Sequence, residues 1–191
     1  MAKQTRAFIA LPIPQAGIRQ CQGLQKGLQD QVRGVHWGKP DQFHITLHFL
    51  GVLNSQQVWQ VCSGIKSVVE SIHPFAFSLQ GVGCFPNARR PRVIWVGVDS
   101  QWLEPMVNLW QSLRRVLAPL GFYREENRAF TPHLTLGRFP REGGDLSSVC
   151  SQKSIQDWKS EELLVDKVQV FSSEPGPDGP AYNSLATFRL T

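Results

Sequence analysis

Two tetrapeptides repeat almost unchanged in this chain, His44-Ile45-Thr46-Leu47 and His133-Leu134-Thr135-Leu136, each inside an apolar stretch. Alternation at period two marks a half-buried strand. Residues i and i+2 of such a strand share a face, so each His stands beside the hydroxyl of its own Thr. Ile45, Leu47, Leu134 and Leu136 then point to the opposite, buried side. A fold holding two such strands must bury both backs while leaving both His/Thr faces accessible. The histidines lie 89 positions apart, and each motif strand follows a helix that itself follows a strand or strand pair. That order reads as an internal duplication. Two β-rich halves facing each other about a pseudo-twofold would line one groove with both His/Thr faces.

The rest of the chain supplies the elements for two such halves. Residues 5–11 read as a strand, and Ile18, Cys21, Leu24 and Leu28 fall on one helical face before Gly34. Asn54 or Ser55 caps a helix whose apolar stripe is Val58, Val61, Cys62, Ile65, Val68, Val69 and Ile72. Phe75, Phe77 and Leu79 alternate as one strand. Residues 93–98 are almost continuously apolar, which predicts a strand covered on both faces, after a turn at 86–91. A third helix is expected from about Glu104, with Pro105 in its first turn and Met106, Val107, Trp110, Leu113 and Leu117 facing inward, to a stop at Gly121. Pro132 opens the second motif strand, where its missing donor is tolerated. Residues 163–171 and 182–190 read as strands around the turn-rich segment 174–180, and residues 141–160 follow no single period.

The 191 residues, 41% hydrophobic, suit one domain with its own core. A net charge of +5 favours a polyanionic partner such as RNA, although such an excess is also common in proteins that never meet nucleic acid. Cys21, Cys62, Cys84 and Cys150 form no Cys-x-x-Cys pair and no close Cys/His group, which predicts reduced, mainly buried thiols and no zinc site. The apolar run from Ala7 to Ile13 is broken by Pro12, is too short to span a membrane and lacks a cleavage pattern, so a cytoplasmic protein is expected.

Two imidazoles with two flanking hydroxyls suit a substrate that carries anionic oxygens and needs one proton removed and another delivered. Phosphodiester cleavage is that case. An unperturbed His titrates near pH 6.5, so one ring can act as base while the other acts as acid. The threonine hydroxyls can donate to non-bridging phosphate oxygens. His48 shares the parity of His44 and Thr46, which places it at the groove in a peripheral role. His36 and His73 read as incidental, and Trp37, Trp95 and Trp110 as core or groove wall.

The chain resembles the two-histidine phosphoesterases, and within them the RNA 2′,3′-cyclic phosphodiesterases also called 2′-5′ RNA ligases. The similarity begins at Arg6-Ala7-Phe8-Ile9-Ala10-Leu11 and passes through Trp37 and the run from His44 to Gly51. It continues at Phe85-Pro86, at Arg90-Pro91-Arg92-Val93-Ile94-Trp95, from Arg128 to Arg138, and at Gly179-Pro180-Ala181-Tyr182. The resemblance implies an α+β, duplicated bilobal fold, with two antiparallel β-sheets facing a central cleft and helices packed outside. Residues 1–191 would form a single two-lobed phosphoesterase domain.

By the same resemblance, the reaction is hydrolysis of an RNA terminal 2′,3′-cyclic phosphate to a 2′-phosphomonoester, with reversible 2′-5′ ligation at the same centre. His44 would be the proton donor and His133 the proton acceptor, roles that the near-symmetric motifs themselves do not assign. Thr46 and Thr135 would hold the phosphate oxygens, with no cofactor and no metal. Arg138 would place a fixed cation by the phosphoryl group. Its odd offset from His133 requires a bulge or a strand end to bring it to the groove, and otherwise it is a surface arginine. Phe130 either stacks on the terminal base or packs in the core. Arg89, Arg90 and Arg92 either follow the RNA backbone or form a solvated turn. The expected partner is RNA ending in 2′,3′-cyclic phosphate, for which tRNA fragments are one source, bound by a monomer without membrane contact. Two alternatives remain at this point: a nucleotide-binding module of the same fold without turnover, and a phosphodiesterase acting on a cyclic phosphate derived from ADP-ribose.

Overall fold

The computed structural model describes residues 4–123, 129–141, 143–176 and 179–191. Arg128 of the second matched stretch, and Pro177 and Asp178 of the final turn, lie outside the described residues. Strand β1 (Thr5–Pro12) is buried without interruption from Ala7 to Leu11, because a strand paired on both edges and covered behind has little surface left. Its partners are β3 (His44–Leu53) on one side and β9 (Lys167–Glu174) on the other, and β9 pairs in turn with β10 (Ala181–Arg189). The second lobe is built from β5 (Leu79–Phe85), β6 (Val93–Val98) and β7 (His133–Arg138), with the short β2 (His36–Trp37) against Gly137 and Arg138 of β7. Every pairing is antiparallel.

Among the described residues the two motif strands share one backbone pair, Ile45 with Leu134, and this joins both lobes into an eight-stranded sheet. Beyond that pair they part, and β2 takes up the free edge of β7. Ile45 and Leu134 are both fully buried, and each contributes about 1.5–3 kcal/mol by leaving water. The lobes therefore meet at an apolar point behind the chemistry, and the expected cleft opens in front of it between two antiparallel halves of one continuous sheet.

The helices cross between lobes. Helix α1 (Gln15–Gln29) follows a strand of the first lobe but covers the back of the second, where the Gln25 amide donates to the carbonyls of Leu136 (2.7 Å) and Gly38 (3.0 Å). Helix α2 (Ser55–Val69) starts at Asn54, whose side chain accepts from the Gln57 amide while Gln57 reaches back to the Asn54 N–H, both at 2.9 Å. It packs against α3 (Leu103–Leu117) and the back of the first lobe. Helix α3 follows a strand of the second lobe yet lies behind β3, so the exchange interlocks the halves.

Several expectations shift for reasons that pairing explains. The alternating stretch 75–79 is two strands: β4 (Phe75–Phe77) pairs with β8 (Leu163–Val165) in a separate two-stranded sheet, while β5 begins at Leu79. Buried Ser78 marks the change of sheet, its carbonyl accepting from the Asp99 N–H at 2.9 Å. The stretch 163–171 divides likewise at Asp166, whose carbonyl accepts from Leu190. Strand β6 is fully buried at Ile94 and Val96, but Val93 and Trp95 on its other face are half-exposed, so only one face of its apolar run is core. Helix α3 ends at Leu117, before Gly121, and buries Leu109 beside Met106, Leu113 and Leu117, leaving Val107 and Trp110 half-buried. Residues 141–160 hold the short helices α4 (Ser147–Cys150) and α5 (Lys153–Gln156).

All four cysteines are free thiols, Cys21 and Cys84 buried and Cys62 and Cys150 half-buried. Among the described residues no helix is long and apolar enough to cross a membrane.

Candidate active site

Carried one residue to either side of the Ile45–Leu134 pair, the antiparallel direction turns His44 toward Thr135 and Thr46 toward His133. The two imidazoles therefore occupy opposite corners of a square, and the two hydroxyls occupy the other corners. A tetrahedral group seated between the rings then meets both imidazoles and both hydroxyls. All four side chains line one cleft of about 280 Å³.

The backbone fixes how each ring is presented. His44 Nδ1 lies 2.7 Å from the carbonyl of Gln42, and His133 Nδ1 lies 2.7 Å from that of Thr131, the same i−2 contact in both repeats. A carbonyl only accepts, so Nδ1 carries a proton in each ring and Nε2 is left as the variable nitrogen. Aromatic side chains complete the seating. His44 packs on Phe8 (centroids 4.9 Å) and meets Tyr182 edge-on (5.1 Å), while His133 meets Phe85 edge-on (4.9 Å) beside Trp95 (5.9 Å). Trp95 requires Gly83 beneath it, where any Cβ would collide with the indole.

A bulge recurs at the same place in both motif strands. In β3, Ala10 faces Thr46 and Ile9 faces His48, so Leu47 is the extra residue. In β7, Trp95 faces Thr135 and Ile94 faces Gly137, so Leu136 is extra. Each bulge reverses the parity that follows it. Arg138, five residues after His133, thereby reaches the cleft, as its expected role requires. Phe49, five residues after His44, does the same and stands 57% exposed in the cleft wall. The same reversal corrects the placement of His48, which lies on the buried back of the sheet, hydrogen-bonded to Tyr123 Oη and the Trp110 carbonyl.

Electrostatics follow from burial and from Arg138. The His44 pKa is lowered to about 4, first by desolvation and further by the charges of Arg138 and His133, against an upward pull from its bond to Gln42. The His133 pKa is lowered for the same first reason, and Arg138 again adds to it. Among the described residues, no group of three or more His, Cys, Asp or Glu side chains could hold a metal ion.

Not every expected site residue comes together. His44, Thr46, His133, Thr135 and Arg138 share the cleft. Phe130 does not line it, and its ring stacks on Trp110 of α3 (5.2 Å, 7°). Arg90 and Arg92 also lie outside the lining, on a turn whose Asn87 side chain accepts from the Arg89 and Arg90 N–H groups. That turn leads into β6, where Val93 pairs with Arg138, so the two arginines stand beyond the second-lobe end of the cleft. Phe49, Arg6 and Tyr182 are lining residues to which sequence reasoning gave no role. Aligning the repeats on their histidines would have found Phe49, which has the offset of Arg138.

The family model of LigT like phosphoesterases matches the chain twice, over residues 11–95 and again over 96–182, one His-x-Thr in each half. The RNA 2′,3′-cyclic phosphodiesterase of Methanothermobacter thermautotrophicus is 30% identical over 98% of this chain and 100% of its own length. That of Archaeoglobus fulgidus is 31% identical, covering 96% of this chain and 99% of its own. The crystal structure of TT0787 of Thermus thermophilus is similar with a TM-score of 0.79 at 25% identity, covering 97% of each chain. The resemblance read from the paired motifs is thereby borne out. Matched in both halves by one model, and along nearly its whole length by these relatives, the chain belongs to the LigT like phosphoesterase family.

Proposed function

We propose that this chain is an RNA 2′,3′-cyclic phosphodiesterase that opens a terminal cyclic phosphate to a 2′-phosphomonoester. The observation that carries the reading is the diagonal pair of imidazoles, each with Nδ1 occupied by a carbonyl and Nε2 free for proton transfer. His133 Nε2 takes a proton from water as the water oxygen bonds to phosphorus. The phosphorus–O3′ bond breaks on the opposite side, and His44 delivers its Nε2 proton to O3′. Thr46 and Thr135 donate to the non-bridging oxygens, and Arg138 offsets their charge in the transition state. With the 5′-hydroxyl of a second RNA end in place of water, the same steps form a 2′-5′ linkage.

The lining supports this direction of use. Among the described residues it extends from the histidines over the first lobe, to Phe49, Arg6 and Ser173, while the second lobe adds His133, Thr135 and Arg138. A nucleoside on the first lobe sets its ribose oxygens toward His44 and leaves the side of His133 to water. Phe49 takes the stacking role first expected of Phe130, and Arg90 and Arg92 serve phosphates farther along the RNA. His44, Thr46, His133, Thr135 and Arg138 of one chain share the cleft, which supports residues 1–191 acting as a single two-lobed domain and as a monomer. The free thiols support a cytoplasmic setting, where RNA ends such as those of tRNA fragments are available.

The test is purified protein on a short RNA ending in 2′,3′-cyclic phosphate, beside the same RNA ending in 3′-phosphate. Only the first should be consumed, and its terminal nucleotide should chromatograph with the 2′-phosphate standard. Absence of turnover would sink the function. Predominant 3′-phosphate would exchange the roles of His44 and His133.

A further inference from the structure

A single backbone pair between the motif strands leaves much of the relative placement of their imidazoles to other contacts. A second tie lies behind the sheet. The β3 bulge turns His48 inward, where it is 4% exposed. Its Nε2 lies 2.9 Å from the Trp110 carbonyl and must donate to it, and its Nδ1 hydrogen-bonds the Tyr123 hydroxyl at 2.8 Å. The Trp110 indole lies flat on the His48 ring (5.4 Å, 13°), and Phe130 lies flat on Trp110 (5.2 Å, 7°). Phe130 immediately precedes Thr131, whose carbonyl holds His133 Nδ1.

We propose that His48 is a positioning residue for His133. Through Trp110 and Phe130 it sets where the Thr131 carbonyl stands, and with it the direction of the second imidazole. An apolar residue would fill the same space without needing two polar partners, so the hydrogen-bonded ring fixes a geometry that packing alone leaves looser. The second repeat has no counterpart. Gly137 occupies the equivalent position, and a Cβ there would collide with Val35. The tie therefore runs one way, from the first motif strand to the ring of the second.

The test uses His48→Gln, which keeps a donor near the Nε2 position but removes the ring, Phe130→Leu, which keeps apolar bulk but removes the flat stack, and the double variant. Two readouts are taken: turnover of the cyclic-phosphate RNA per folded molecule, and the His133 Cε1–H signal followed by NMR through a pH titration. The first rests on the function proposed above, and the second does not. Each single variant should lower kcat about tenfold with KM within about twofold, as small misplacements of an acid/base group do. Both should displace the His133 signal and its titration more than those of His44, and the double variant should lose little beyond the worse single. An unmoved His133 titration with kcat within about twofold, whatever happens to Tm, would reduce His48 to core packing and overturn the proposal, as would strictly additive losses. Should the parent protein leave the cyclic phosphate intact, the function fails and the His133 signal alone decides the positioning.

Discussion

Acidity of the two imidazoles gives the sharpest quantitative test. Burial takes the His44 pKa from an ordinary value near 6.5 to about 4, which disfavours its imidazolium by about 3 kcal/mol in the empty cleft. At pH 7 only about one His44 in a thousand carries the second proton before substrate arrives. His133 is lowered too, so the alkaline limb of kcat/KM, which reports the free enzyme, should fall below pH 6.5. An anionic phosphate oxygen held about 5 Å from the ring, at an effective dielectric near 20, restores roughly 3 kcal/mol to the imidazolium. The alkaline limb of kcat, which reports the bound complex, should therefore stand about one pH unit or more above that of kcat/KM. Stability has a fixed sign here as well. Both folded pKa values lie below the unfolded value, so the unfolded chain binds protons first as pH falls. Stability is retained above about pH 6.5 and lost on acidification toward the folded value near 4, by up to about 3 kcal/mol for His44. The assays are pH profiles of kcat and kcat/KM on the cyclic-phosphate RNA and denaturant midpoints over the same range. Coincident limbs at or above pH 7, or a rate that climbs steadily into alkali, would refute the reasoning.

His44→Ala and His133→Ala should each lower turnover by about 10²–10⁴ with the fold retained, and the double variant should fall far short of the product of the two losses; a single variant within about threefold of the parent would end the paired mechanism. Arg138→Gln should raise the NMR-determined pKa of both histidines, because the guanidinium pushes both down, while lowering kcat/KM. Stationary titrations would place that cation elsewhere. Treatment with EDTA should leave the rate unchanged, whereas a loss restored by zinc, manganese or magnesium would transfer the chemistry to a metal.

Much of this centre is legible in the sequence because alternation is a local signal. Ile45, Leu47, Leu134 and Leu136 are all buried, as period two requires, and their neighbours His44, Thr46, His133 and Thr135 share the cleft. What alternation misses is decided by strand pairing. The misfit of Arg138 betrays a bulge, yet nothing near His48 announces the matching one, which exists because one residue of β1 after another is met by β3 with Leu47 left over. Phe130 shows the same limit: its type suits a base, but its neighbour is Trp110, which the sequence places twenty positions away. The breaks at Ser78 and Asp166 arise because the chain changes partners there, while both flanks keep ordinary strand character.

The shared bulge has a consequence for polarity. A centre with true twofold symmetry accepts a substrate equally well in either of two orientations related by its axis, and so cannot specify which oxygen leaves. The four His and Thr side chains come close to that condition. The first departure from it on the cleft wall is five residues past each histidine, where one repeat presents the ring of Phe49 and the other the guanidinium of Arg138. A flat apolar surface on one side and a cation on the other break the equivalence of the two orientations, so on the function proposed above a nucleotide end would be read in one direction only.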